Sequence, residues 1–290
     1  MAIRLGWFTN NVGLHILSKT DILQNNLKAA GYNPLVEWLN VDPGNLSTDF
    51  IGANLIDVGG TGSTPPIAAQ ARGIPLYYVA HSVPRDLGGI VVRKTDNIGR
   101  IADLKGKKIS IAIGAWPTHV LAVALDQAGL TFDDVLVLNV GRKAVKALEH
   151  NGIDAYIGSI PGGETGDKFR YLIKNTEITS NPSVYFARRE FADRHPELLR
   201  IVAQSLHEAE IWAGENPDKH AEFLKQDGGG QAAVHLDRGA FGLKPISPQF
   251  LAEQQKGADI LHRFGFIPRK INVAEAALPY ALEFKQAVQV

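Results

Sequence analysis

Residues 55–66 have the sequence LIDVGGTGSTPP, in which an apolar segment leads into a turn of glycine, serine and threonine and then into two prolines. The apolar residues 55–58 predict a strand, and Pro65 is placed where a helix begins, since the first helical turn needs no proline N–H. A helix start leaves backbone N–H groups unpaired and carries the positive end of the helix dipole, so it can bind an anion. Helix capping without a ligand would give the same pattern. The turn residues expected to contact a ligand are Thr61, Gly62 and Ser63.

Two other segments repeat this order of strand, turn and helix start. A strand over 3–8 is followed by Thr9, Asn10 and Asn11, and a strand over 108–113 is followed by Gly114, Ala115 and Trp116. Three such helix starts in one chain predict a site for a small anionic or polar ligand.

The composition excludes several classes of function. The chain has 290 residues with 30 basic and 30 acidic side chains, so its charge favours neither nucleic acid nor an acidic membrane surface as a partner. No apolar run reaches the roughly 18 residues that predict a membrane span, so no direct membrane insertion is expected. The absence of cysteine excludes disulfides, thiolate metal sites and cysteine nucleophiles. It fits an oxidising compartment, but residues 1–5 have no apolar signal core, which leaves open a cytosolic protein or a mature exported form.

Strands and helices alternate along the chain, which predicts an α/β fold with mostly parallel sheets. Further strands are expected over 35–39, 76–80, 89–93, 135–138, 153–157 and 184–187. Helices are expected over 21–30, 65–72, 120–128, 144–150, 196–226 and 248–263. The strands over 89–93 and 184–187 are candidates for two crossings between lobes. One lobe would comprise 1–88 and 188–290 and the other 89–187, and two lobes joined in this way can close around a ligand by a hinge motion.

Sequence motifs distributed over nearly the whole chain point to a known family. They are residues 56–62 (IDVGGTG) with 65–71 (PPIAAQA), 76–79 (LYYV), 101–109 (IADLKGKKI), 147–149 (ALE) with 153–156 (IDAY), 246–248 (ISP), 252–255 (AEQQ) and 267–268 (IP). In these motifs the chain resembles the substrate-binding proteins of ABC importers for aliphatic sulfonates, which have the two-lobe type II periplasmic-binding-protein fold. The resemblance implies a periplasmic monomer, without metal or cofactor, that captures a small organic anion between its lobes by hinge closure. It also implies delivery of that anion to ABC permease subunits.

The chain departs from the sulfonate-binding pattern at two places. Sulfonate-binding proteins resemble one another in having Gly-Ser-Asn at the turn where this chain has Gly114, Ala115 and Trp116. The hydroxyl and amide donors of that serine and asparagine are therefore missing here. Trp116 could stack on an apolar part of the ligand or pack within its lobe. Ser159 stands where the family often has a tryptophan. The resemblance therefore implies an enlarged pocket and a ligand other than a simple short alkanesulfonate.

Arg142 follows Gly141 at an expected helix start, where the helix dipole disfavours a cation. Arg142 could bind a carboxylate, sulfonate or phosphate through two hydrogen bonds, or it could lie in solvent beside Lys143 as a surface pair, which we favour. Arg85, in the loop after the strand over 76–80, leaves the same two alternatives open.

Three of the nine histidines, His15, His81 and His119, lie near predicted strand ends. Their spacing is not that of metal ligands, so no metal is expected. We expect His81 and His119 to contact the ligand through single hydrogen bonds. Some enzymes share this fold, so the alternative function is a soluble, cytoplasmic enzyme of the lyase type, with His15, His81 or His119 as the base.

Overall fold

The computed structural model describes residues 2–84, 88–228 and 241–284, and it confirms the α/β class. The strands are β1 (Ala2–Trp7), β2 (Leu35–Asn40), β3 (Val58–Thr61), β4 (Leu76–Ser82), β5 (Gly89–Arg93), β6 (Lys108–Ser110), β7 (Leu136–Leu138), β8 (Ala155–Gly158), β9 (Phe169–Lys174), β10 (Val184–Arg188) and β11 (Leu243–Pro245). The helices are α1 (Val12–Lys19), α2 (Ile22–Ala29), α3 (Ser47–Gly52), α4 (Thr64–Ala71), α5 (Trp116–Gln127), α6 (Ala144–Glu149), α7 (Glu164–Asp167), α8 (Asn175–Ile178), α9 (Arg189–Arg194), α10 (Pro196–Glu215), α11 (Pro217–Gln226) and α12 (Pro248–Arg263).

The described residues divide into two compact units. Unit 1 lies within 1–84, 182–254 and 271–290, and unit 2 lies within 85–181 and 255–270. Residues 255–270, which the sequence prediction assigned to the first lobe, group with unit 2. The reason is that Phe264 and Phe266 pack edge-on against Phe132, while Arg263 donates a hydrogen bond to Asp126.

Each unit contains one sheet. The strand order is β11-β4-β10-β3-β1-β2 in unit 1 and β7-β6-β8-β5-β9 in unit 2. Both sheets are mixed, whereas the sequence predicted mostly parallel sheets. In unit 1, β10 runs antiparallel to both β3 and β4, and in unit 2, β5 runs antiparallel to both β8 and β9. An apolar run such as 184–187 predicts a strand but does not reveal its direction.

Several element boundaries differ from the predicted ones. The strand expected over 55–58 begins only at Val58 and continues to Thr61, so part of the predicted turn belongs to β3. Helix α5 begins at Trp116 rather than at residue 120, because Pro117 occupies its first turn, where a missing N–H is tolerated. The helix expected over 196–226 is interrupted at Asn216, before Pro217 begins α11.

The core of unit 1 forms where α1, α2 and α10 pack on one face of its sheet. Leu14, Leu17, Val202 and Leu206 are fully buried in this layer. Their spacing along each helix is the three-to-four-residue repeat of an apolar helix face. The same packing holds the start of α1 at one edge of the sheet.

The buried carboxylate of Asp57 lies just before β3. Its two oxygens accept hydrogen bonds from Arg4 and Arg188, including contacts of 2.7 Å and 2.8 Å. Burial opposes ionisation of Asp57, but the hydrogen bonds from the two guanidinium groups outweigh it and lower the pKa of the carboxyl group. This ion cluster links β1, β3 and β10.

Within the described part of the chain, no helix has the length and apolar content of a membrane span.

Candidate ligand-binding site

The predicted site residues of unit 1 follow strands that point in the same direction. Strands β1 and β3 are parallel, and β4 runs in their direction because β10 is antiparallel to both β3 and β4. The carboxyl ends of β1, β3 and β4 therefore meet at one edge of the sheet. This edge carries Thr9, Asn10 and Asn11 after β1, Thr61, Gly62 and Ser63 at the end of β3, and His81 near the end of β4.

The order of the strands predicts a crevice at this edge. From β1 the chain continues to β2 on one side, and from β3 it continues to β4 on the other side. Helices α1 and α4 follow β1 and β3, so both begin at the carboxyl ends of adjacent strands. Open α/β sheets bind ligands at such a switch point, between strands whose connections leave in opposite directions.

Asn11 is the N-cap of α1, and its side chain is buried beside Gly60 near the carboxyl ends of β1 and β3. Its Oδ1 accepts the N–H of Leu14 at 3.0 Å, which identifies the other side-chain atom as the amide nitrogen Nδ2. Asn11 is only 1% exposed. Its Nδ2 has no hydrogen-bond partner among the described residues. An unpaired buried donor costs about 1–3 kcal/mol, so a hydrogen-bond acceptor that reached this amide would stabilise the structure.

Gly60 is what allows Asn11 to occupy this position. A Cβ atom on Gly60 would lie 2.8 Å from Asn11 Nδ2 and 2.9 Å from the ring of Tyr185. A larger residue would therefore force the Asn11 amide or the Tyr185 ring to shift. Nearby, Thr61 and Ser63 are buried, Thr9 is half-buried, and Asn10 is exposed.

His81 has one ring nitrogen engaged with the backbone. Its Nδ1 lies 2.9 Å from the carbonyl oxygen of Ser82, and its ring stacks on Phe250 with a centroid distance of 4.6 Å and an angle of 6°. Burial lowers the pKa of His81 below the ordinary value of 6.5 and outweighs the backbone hydrogen bond, which acts in the opposite direction. The neutral ring is therefore the form present at neutral pH.

The predicted site residues of unit 2 also share one sheet edge. Strands β6, β7 and β8 are mutually parallel, so the segments that follow them begin at the same edge. These segments contain Gly114, Ala115 and Trp116 after β6, Arg142 after β7, and Ser159 after β8. Arg142 and Ser159 are exposed, and Arg142 makes no ion pair within the described ranges.

The turn before α5 uses most of its backbone N–H groups internally. Gly114 N–H donates to Thr118 Oγ1 at 2.8 Å, and Ala115 N–H donates to the carbonyl of Ala112 at 3.1 Å. Thr118 N–H donates to the carbonyl of Ala115, and Pro117 has no N–H. In this conformation the turn offers an apolar surface instead, because Trp116 is half-buried and Ile113 is 44% exposed.

The other two candidate histidines are enclosed by protein. His15 is completely buried, and its Nε2 lies 2.8 Å from Asp227 Oδ2. His119 is buried within α5 against Gly257, where an added Cβ atom would lie 2.2 Å from His119 Nε2. Neither ring is placed to act as a base on a substrate from solution.

Among the residues with described side chains, no group of three or more His, Asp or Glu could hold a metal ion. Arg85 lies outside the described residues.

The sequence analysis did not foresee the partners of these histidines. Asp227 is 212 positions from His15, and Phe250 lies in a different segment from His81. No local pattern relates residues so far apart.

The structure also contains a groove of about 680 Å³ beside α2 and α10, lined by residues that include Asn26, Arg200 and Glu208. None of the predicted site residues lines this groove.

Comparison with known proteins gives a consistent set of relatives. A family model described as NMT1/THI5 like matches residues 36–220. An aliphatic sulfonates-binding protein of Escherichia coli is 26% identical over 98% of this chain and 91% of its own length. A Bacillus subtilis protein of the same description is 28% identical over 83% of this chain and 75% of its own length. The crystal structure of the periplasmic aliphatic sulphonate binding protein from Escherichia coli superposes with a TM-score of 0.83 at 25% identity, covering 96% of this chain and 97% of that one.

Proposed function

The chain belongs to the NMT1/THI5-like family, and from that premise we propose that it is a solute-binding protein for a small organic anion, of the sulfonate class, serving an ABC importer. The observation that carries the proposal is the buried, unpaired amide of Asn11 at the switch point of the unit 1 sheet. Relatives named as aliphatic sulfonate-binding proteins support the choice of sulfonate.

The anion is proposed to bind at the carboxyl ends of β1 and β3. Asn11 Nδ2 would donate one hydrogen bond to an anionic oxygen, and the Thr61 hydroxyl would donate another. Both sit beside the starts of α1 and α4, whose dipoles favour a negative charge. A site of this kind needs no cationic side chain, which agrees with the neutral overall composition.

Unit 2 is proposed to contribute apolar contacts to the ligand rather than a second set of hydrogen bonds to the anion. Trp116 and Ile113 present accessible apolar surface at the carboxyl edge of its sheet. The N–H groups of Gly114 and Ala115 already donate hydrogen bonds within the protein. Arg142 and Ser159 are accessible at the same edge and remain candidates for polar contacts. His119, given its burial against Gly257, would support α5 rather than touch the ligand.

The proposed mechanism is closure of two lobes on the bound anion, with the predicted bounds of 1–88 with 188–290 and 89–187 changed so that residues 255–270 belong to the second lobe. Ligand contacts made only in the closed form would select that form. The proposed partners are ABC permease subunits, the proposed location is the periplasm, and the protein would work as a monomer. The periplasmic location of the Escherichia coli relative supports this placement.

Isothermal titration calorimetry with hexanesulfonate, a sulfonate with an extended apolar part, tests the proposal, using the variant Asn11→Asp. Aspartate keeps the oxygen that caps α1 but replaces the donating amide with an anionic oxygen. Loss of a hydrogen bond to a charged group corresponds to about 1.5–3 kcal/mol, so sulfonate affinity should fall by roughly 10- to 150-fold. Asn11→Ser, which removes the amide without adding charge, should also weaken binding.

Asn272→Asp is the matched control. Asn272 also caps a short helical turn, through a 3.2 Å bond from the N–H of Ala274, but it is exposed and distant in sequence from the crevice. Its substitution should leave sulfonate affinity unchanged. Sulfonate binding that survives Asn11→Asp, or absence of sulfonate binding by the unmodified protein, would contradict the proposal.

A further inference from the structure

The groove beside α2 and α10 lies within unit 1, and no residue proposed to contact the anion lines it. Its volume of about 680 Å³ is within the range of pockets that hold small organic molecules. Helix α2 forms one wall, α10 forms the second, and segment 281–284 forms the third. The groove is therefore a candidate for a second ligand.

The third wall is fixed against α10 at both of its ends. The guanidinium group of Arg200 lies 4.7 Å from the ring centroid of Tyr280, and its Nη1 donates to the carbonyl oxygen of Ala281 at 2.7 Å. At the other end, Phe284 stacks on His207 with a centroid distance of 5.1 Å and an angle of 13°. The groove is thus a preformed space between packed walls.

Much of the surface of the groove is apolar. The lining includes the small side chains of Ala29, Ala30 and Ala203 and the larger apolar side chains of Leu282 and Phe284. The three alanines leave space that longer side chains would fill. Because apolar walls gain free energy by covering the apolar atoms of a ligand, the groove fits a molecule with an apolar body.

Glu208 provides an oriented acceptor in the groove. Its Oε2 accepts a hydrogen bond from Asn26 Nδ2 at 2.8 Å, and its Oε1 accepts one from Gln204 Nε2 at 2.9 Å. Both donors are neutral, and Glu208 forms no ion pair with the residues that the structure describes. Each carboxylate oxygen has two lone pairs, so each can accept a further hydrogen bond.

The charges that line the groove do not balance. Glu208 and Glu283 are acidic, and Arg200 is the basic residue among the described residues that line it. Arg200 is eight positions from Glu208 along α10, which corresponds to about 12 Å. Its guanidinium group is already engaged with Tyr280 and Ala281. The end of the groove at Glu208 therefore complements a positive charge.

We propose that this groove binds an organic cation with an apolar body, of the alkylammonium class. The ammonium group would donate hydrogen bonds to the carboxylate of Glu208, and the alkyl chain would lie against Ala29 and Ala203. An alkyl anion of the same size would be repelled by Glu208. The inference does not rest on the proposed function, because the groove and the proposed anion site have no residue in common.

NMR titration at neutral pH with hexylammonium chloride, 1-hexanol and hexanesulfonate tests the inference, because the three probes have the same alkyl chain and differ in charge. Hexylammonium should give intermolecular nuclear Overhauser effects to the methyl groups of Ala29 and Ala203, and hexanesulfonate should give none. Hexylammonium should bind about tenfold more tightly than 1-hexanol, since hydrogen bonds to a charged group are the stronger ones. Added sodium chloride should reduce this difference by screening the charge.

Glu208→Gln removes the charge and keeps the length of the side chain. Hexylammonium affinity should fall about tenfold in this variant, and 1-hexanol affinity should change less than about twofold. Glu222→Gln is the matched control, since Glu222 is an exposed carboxylate of α11 that does not line the groove, and both affinities should stay unchanged. Ala29→Leu, at an exposed position of α2, should weaken both probes because the larger side chain occupies the apolar part of the groove.

Equal affinities for hexylammonium and 1-hexanol, or a preference for hexylammonium that persists in Glu208→Gln, would overturn the inference. So would the absence of contacts between hexylammonium and the two alanine methyl groups. Hexylammonium binding seen only in a chain that ends at Phe284 would assign the groove to the residues that follow. A dimer that dissociates in Glu208→Gln during sedimentation would assign it to a second copy, and either result would also overturn the inference. The proposed function depends on sulfonate binding and stands or falls separately.

Discussion

The Nε2 atom of His15 lies 2.8 Å from Oδ2 of Asp227, which joins the first helix of the chain to the residue that follows α11. Lys19 shares the same carboxylate at 2.8 Å, and Trp7 stacks on the ring of His15. Because Asn11 caps the same helix, this cluster helps to hold the proposed anion-binding amide in place. It also brings a titratable group into the core of unit 1.

The stability of the protein should depend on the protonation of His15. Burial lowers the pKa of His15 below 6.5 and outweighs the hydrogen bond to Asp227, which acts in the opposite direction. The unfolded chain therefore binds a proton more readily than the folded one, so the free energy of unfolding should fall as the pH drops below about 6.5. Urea denaturation of the unmodified protein and of His15→Gln between pH 8 and pH 5 measures this. The glutamine variant should lose less stability over that range, and identical slopes would contradict the prediction.

The ion cluster around Asp57 should contribute strongly to stability. Asp57→Asn leaves Arg4 and Arg188 without their shared carboxylate and should lower the free energy of unfolding by about 2–4 kcal/mol. Asp49→Asn is the control, because Asp49 and Arg72 form an exposed pair and should contribute less than about 1 kcal/mol. The stabilising effect of Asp57 should be present above pH 3.8, its ordinary pKa, and disappear as the pH falls through the lower pKa of the folded state. Equal effects of the two substitutions would contradict this assignment.

Gly257 should be required for the packing of His119. Gly257→Ala places a methyl group 2.2 Å from the present position of His119 Nε2, so the buried imidazole ring must turn away or the two helices must separate. Overpacking of this kind costs about 1–3 kcal/mol. Gly162→Ala is the control, since nothing lies within 4 Å of an added Cβ atom there. Thermal unfolding of both variants checks the prediction, and an unchanged melting temperature for Gly257→Ala would contradict it.

Trp116→Ala should weaken the binding of ligands with an extended apolar part. If Trp116 covers the equivalent of one or two methylene groups, the affinity for hexanesulfonate should fall about tenfold, at about 0.8 kcal/mol for each group. Methanesulfonate has no chain to cover and should change less than twofold. Calorimetry with both ligands separates the two effects. Equal losses for the two ligands would indicate that Trp116 supports the fold of unit 2 instead.

Local sequence patterns predicted the elements that carry the site. The glycine-rich segment before Pro65 indicated a strand followed by α4, and the observed helix begins within one residue of the expected position. Asn11 was identified by its place after β1, and it is the N-cap of α1. The helix start near Pro65 was predictable because proline placement is decided by a few adjacent residues, whereas the predicted ligand contact of Asn11 stays a prediction.

Features that depend on distant residues were not predictable in this way. The antiparallel direction of β10 and the existence of β9 and β11 follow from pairing between strands, which no local pattern encodes. The internal use of the Gly114 N–H depends on Thr118, whose hydroxyl can equally bond its own helix.

A crystal structure of the protein with hexanesulfonate tests the central claim most directly. The account predicts a sulfonate oxygen within hydrogen-bonding distance of Asn11 Nδ2 and of the Thr61 hydroxyl, at the carboxyl ends of β1 and β3. A sulfonate bound elsewhere, for example beside Arg200 in the groove along α10, with the Asn11 amide still unpaired, would contradict it.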